Sequence, residues 1–167
     1  QRFFLASGGA TLLSAAGLLV AIVTGADVGV SGDPEKDMYR ALSSPTENAA
    51  IVDSRWSAFG RTDLVASPTM PGSMTIYVDG AAGAPMYDAA TLAPGSHQFN
   101  HLVSHYGVSF PFNFLSPEQK DSALIIGPGG GRDVVAALFG GVTEITAVEV
   151  NPDAVQIVRD YSGYKGG

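Results

Sequence analysis

The stretch "LIIGPGGGRDVVAALFGGVTEITAVEVN", residues 124–151, constrains this chain more than any other part of it. It places a glycine-rich turn and an acidic residue at two successive strand ends. Residues 123–126 are a short apolar run rich in β-branched residues, the pattern of a strand buried in a parallel sheet. Gly127, Gly129, Gly130 and Gly131 remove every Cβ from the turn except that of Pro128, so the backbone can adopt positive φ and a ligand can approach the main chain. Residues 133–139 read as a helix whose first amides point back at that ligand, and Gly140-Gly141 ends it. Residues 145–150 read as a second strand with Glu149 at its C-terminal end, where open α/β sheets bind their ligands. A carboxylate placed there can accept both hydroxyls of a ribose. Asn151 and Pro152 form an N-cap and first-turn pair for a further helix over 153–159.

Spacing separates the nucleotide chemistries that could use such a unit. A Walker A loop is excluded, since neither Lys-Ser nor Lys-Thr follows the glycines. A dinucleotide fingerprint needs a sixth-position glycine, which counting from Gly127 is Arg132. Gly127-x-Gly129-x-Gly131, with an acid after the next strand, resembles motif I of the class I S-adenosylmethionine-dependent methyltransferase fold, in which that acid holds the cofactor ribose. The plain alternative is a tight strand-to-helix turn that binds nothing.

Upstream, "SRWSAFGRTDLV" (residues 54–65) and "IYVDG" (residues 76–80) resemble the small N-terminal β domain of spermidine synthases, and "GPGGGRDV", "AVEVNP" and "YSGYKGG" are similar to the membrane-fused, spermidine-synthase-like subgroup. The resemblance covers about residues 50–167 and implies an α/β, Rossmann-like methyltransferase fold preceded by a small antiparallel β domain and a transmembrane helix. It implies transfer of an aminopropyl group from decarboxylated S-adenosylmethionine to a diamine such as putrescine. Gly127, Gly129, Gly130 and Gly131 would then shape the cofactor loop and Glu149 would bind the ribose. The sequence departs from that family at several points. The family's cofactor loop carries an Asp at the position of Gly130, and Asp133 lies three residues later. The Gln after the Asp-Gly turn is replaced within Ala81, Ala82 and Gly83, and the family's Tyr-His-Glu segment is replaced by "QFNHLVSH", residues 98–105. The missing loop Asp favours a second reading, methyl transfer from S-adenosylmethionine itself, with Arg132 as a cation for the cofactor carboxylate. A third reading is a degenerate, non-catalytic nucleoside-binding domain of a membrane protein. The chain reads as a fragment of the fold, with the family's catalytic carboxylate expected beyond Gly167.

Residues 3–24 are uncharged and mostly apolar. At about 1.5 Å per residue they span the roughly 30 Å hydrocarbon core, so residues 1–26 read as a transmembrane helix rich in small packing residues. The rival reading is a secretory signal peptide cleaved near residues 24–26. Residues 27–48 follow as a juxtamembrane linker with one helical turn near residues 36–42. Residues 49–95 read as a small β-hairpin domain punctuated by Gly60, Pro68, Pro71 and the Asp79-Gly80 turn signal, with Trp56 and Phe59 packed inward against the larger domain. Residues 96–122 read as a connecting helix and loop, and residues 123–167 as the start of the cofactor domain.

His97, His101 and His105 are all the histidines present and would share one helical face. With no cysteine to complete a site, no metal is assigned to them, and one is expected to line the substrate cleft. A net charge of −7, with nine basic residues scattered singly, offers no stripe for phosphates and argues against nucleic acid as a partner. The expected partners are a small-molecule substrate, a polyamine by resemblance, and the membrane through the N-terminal helix, with the soluble part cytoplasmic. Homo-oligomer formation is left open.

Overall fold

The computed structural model describes residues 11–20, 23, 32–97, 99–101 and 110–161. Residues 1–31 form one unit, in which residues 11–20 and 23 are helical and exposed. No helix among the described residues is long and apolar enough to cross a membrane. The rest of the expected transmembrane helix, residues 1–26, lies outside the described residues.

Residues 32–167 form the second unit. A short helix α1 (Asp37–Ser43) precedes an antiparallel sheet of β1 (Ala50–Ser57), β2 (Gly60–Ala66), β3 (Ser73–Val78) and β4 (Ala81–Tyr87), in the order β1-β2-β3-β4. Asp79 and Gly80, with φ of 49° and 77°, make the tight β3–β4 hairpin expected of an Asp-Gly pair. A parallel pair follows, β5 (Ser122–Ile126) and β6 (Glu144–Val148), joined through α2 (Arg132–Phe139), and α3 (Pro152–Tyr161) closes the described chain. The expected mixture of an antiparallel sheet and a parallel strand pair is therefore present.

The first sheet and α3 share a core of Leu64, Ile76, Met86 and Ile157, flanked by Met74, Val158 and Tyr161. Residues 61–65 of β2 are all buried, which the strand achieves because side chains on both of its faces are covered. On one face Thr62 accepts a hydrogen bond from Asn151 Nδ2 at 2.9 Å. Asn151 Oδ1 in turn accepts the Asp153 amide at 3.0 Å, so the residue that caps α3 also docks it on the sheet. Arg55 adds an exposed tie from β1, donating to Asp53 and to Asp160 of α3, each at 2.7 Å. The Asp160 hydrogen bond holds the Arg55 pKa above its ordinary value, against the opposing effect of burial.

Trp56 and Phe59 do not pack inward as the sequence suggests. They are 61% and 48% exposed. Trp56 pairs across the sheet with Arg61 and sits on edge strand β1, and its ring centroid lies 6.0 Å from the Arg61 guanidinium. Phe59 occupies the turn between β1 and β2. Aromatic content alone does not report whether a strand has a neighbour, and β1 has β2 on one side only.

In the connecting segment, residues 97 and 99–101 are helical, and Phe99 packs edge-on against Phe139 of α2 with ring centroids 4.7 Å apart. His97 and His101 stack at 6.4 Å, and His105 lies outside the described residues. On the parallel pair, one face stays open, with Leu124 65% and Ile126 79% exposed.

Candidate functional site

The glycine turn is built as its composition requires. Gly127, Gly129 and Gly131 have φ of 69°, 53° and 95°, a region that residues with a Cβ rarely enter. The Gly127 amide continues the parallel ladder by donating to the Val148 carbonyl at 2.8 Å, and the Gly131 amide closes the turn on the Pro128 carbonyl at 2.8 Å. The Gly129 amide donates to Glu149 Oε2 at 3.1 Å, and Glu149 Oε1 accepts the Asn151 amide at 2.9 Å. The two strand ends picked out in the sequence are thus joined by one carboxylate. Each of its oxygens keeps a further lone pair, so hydroxyls can still be accepted. Gly130 is a buried residue, and its amide donates to no acceptor among the described residues, an orphan donor in the middle of the turn.

A cavity of about 580 Å³ opens over this turn. It lies within the usual size range for small-ligand sites. Gly129, Gly130, Gly131 and Glu149 line it, together with Met86 and Tyr87 of β4 and Val155, Val158 and Arg159 of α3. The apolar walls, the free amide and the acid suit a nucleoside, whose base is apolar on its faces and whose ribose presents hydroxyls. Gly127 does not line the cavity. It ends the strand that leads to the turn.

Gly130 is held more tightly than its neighbours. A Cβ built on it falls 2.6 Å from the Ala84 carbonyl oxygen and nearer still to that of Pro85. One built on Gly129 falls 2.7 Å from the Ala84 Cβ. The turn therefore rests directly on the main chain of β4. Pro85 is tolerated there because β4 is an edge strand of its sheet.

Arg132, considered from the sequence as a cation for the cofactor, donates to Asp133 at 3.1 Å and does not line the cavity. Arg159, which sequence reasoning did not single out, does line it. The available signal was its position one turn after Val155 on the helix that opens behind the acid. Neither His97 nor His101 lines this cavity, and His105 lies outside the described residues. His97 faces a separate cavity with Thr69, Met70 and Thr91. Among the described residues, no group of three or more side chains is placed to hold a metal ion. Comparison with protein-family models, with curated proteins and with solved structures gives no match to this chain.

Proposed function

We propose that the glycine turn and Glu149 form the cofactor site of a transferase that uses an S-adenosylmethionine-type nucleoside, in a Rossmann-like domain. The observation that carries this reading is the hydrogen bond from the Gly129 amide to Glu149, which brings together two residues 20 positions apart on the rim of one cavity. When bound, such a cofactor supplies a sulfonium with an electrophilic carbon. The chain's own part is to hold the ribose on Glu149, to offer the Gly130 amide, and to keep water from the apolar wall of Met86, Val155 and Val158.

By resemblance the transferred group is aminopropyl, from decarboxylated S-adenosylmethionine to a polyamine precursor. One observation favours the second reading, methyl transfer from S-adenosylmethionine. The position at which aminopropyltransferases carry a loop Asp is Gly130, and the β4 carbonyls leave no room for any side chain there. The membrane helix over residues 1–26 and a cytoplasmic soluble part belong to the same proposal.

Calorimetric titration of the chain with S-adenosylmethionine and with its decarboxylated form tests it. Both should bind, the intact form more tightly, and Glu149→Gln should weaken each by about ten-fold or more through loss of charge-assisted hydrogen bonds. Tighter binding of the decarboxylated form would restore the aminopropyl reading. No binding of either would leave only a structural turn.

A further inference from the structure

Arg159 differs from the other arginines of the folded unit. Arg40 pairs with Asp37, Arg55 with Asp53 and Asp160, Arg61 with Asp63, and Arg132 with Asp133. Arg159 makes no hydrogen bond or ion pair among the described residues. It lines the glycine-turn cavity, one helical turn beyond Val155, which lines it too. Helical side chains lean toward the N-terminal turn, so from position 159 the guanidinium is directed back toward the Glu149 end of α3. Asp160, its neighbour in sequence, is held by Arg55, and the Glu149 oxygens receive two backbone amides. An exposed guanidinium on the wall of this cavity, in a chain of net charge −7, has donors available to an anion.

We propose that Arg159 makes this cavity selective for nucleosides that carry an anionic group, a carboxylate or a phosphate. The inference rests on the reading of the cavity as a nucleoside site and adds the charge of its ligand. It also accounts for Gly130. A loop carboxylate facing the same cavity would repel such an anion, and the packing of β4 excludes one. The guanidinium supplies planar, paired donors to the anion, which lysine reproduces only in part.

The test uses the whole chain and two matched ligand pairs followed by calorimetry at low ionic strength. S-adenosylhomocysteine is compared with 5′-methylthioadenosine, and adenosine 5′-monophosphate with adenosine. At least one member that carries the carboxylate or the phosphate should bind about ten-fold more tightly than its counterpart without that group. Arg159→Gln should abolish that preference, Arg159→Lys should keep part of it, and added salt should reduce it. Preference in the first pair alone identifies a carboxylate receptor, and in the second alone a phosphate receptor. Equal affinities within both pairs, or a preference that survives Arg159→Gln, overturns the proposal while leaving the nucleoside site intact. If none of the four ligands binds, the nucleoside site itself is overturned and the role of Arg159 with it.

Discussion

Arg61 and Asp63 show how much a single position can carry. Arg61 Nε donates to Asp63 Oδ1 at 2.8 Å, with side chains only 7% and 0% exposed. Ser54 also donates to Asp63, while Asp63 Oδ2 has no partner. Replacing one member of a buried pair strands the other charge, so Arg61→Ala should cost about 3–5 kcal/mol in urea denaturation. The double variant Arg61→Ala with Asp63→Ala should be less damaged than Arg61→Ala alone, because no charge is left unpaired. If the double variant is instead the less stable, the pair is not held by its charges. Exposed Trp56 lies over the Arg61 guanidinium and helps to exclude water from it. Nothing in the residue types alone separates this arrangement from a tryptophan buried in a core, and the inward packing expected of Trp56 fails for that reason.

Among the elements, the glycine turn gives the sharpest contrast. At Gly127 a Cβ would meet nothing within 4 Å, so Gly127→Ala should cost only the strain of its positive φ, about 1–2 kcal/mol. At Gly130 the backbone is not left-handed, yet a Cβ collides with main-chain oxygens that no rotamer change can move. Gly130→Ala should therefore be the more damaging, by overpacking worth about 1–3 kcal/mol and by displacement of the turn from β4. Urea midpoints of the two variants in the reverse order would contradict this account of the packing. The strand, turn, helix, strand and cap between residues 122 and 153 were legible because each carries a local signal: β-branched residues, glycines at positive φ, a Gly-Gly stop, and an Asn-Pro start. The close approach of β4 to Gly130 was not. It depends on which strand the tertiary fold brings alongside, and a glycine needed for φ looks the same in sequence as one needed for space. Arg159 was hidden in the same way, as a helix-end cation with nothing local to distinguish it.

For the molecule as a whole, the unit from residue 32 onward is tied together through α3. Ile157 is fully buried against Leu64, Ile76 and Met86, and Asn151 reaches Thr62 from the opposite end of the helix. Ile157→Ala should cost about 2–5 kcal/mol and should lower hydrogen-exchange protection in β2 and in β5 alike. Loss of protection in β5 with β2 unchanged would mean that the two sheets unfold separately. The contact between Gly130 and β4 bears on how such a molecule can change. Layers separated by side chains drift apart or together as residues are exchanged for larger or smaller ones. Here the spacing is set by carbonyl oxygens and an α-carbon, whose radii are the same in every protein. The turn is indexed to β4 by a distance that substitution of side chains in the core does not retune, so one wall of the cavity stays fixed while the others remain free to vary.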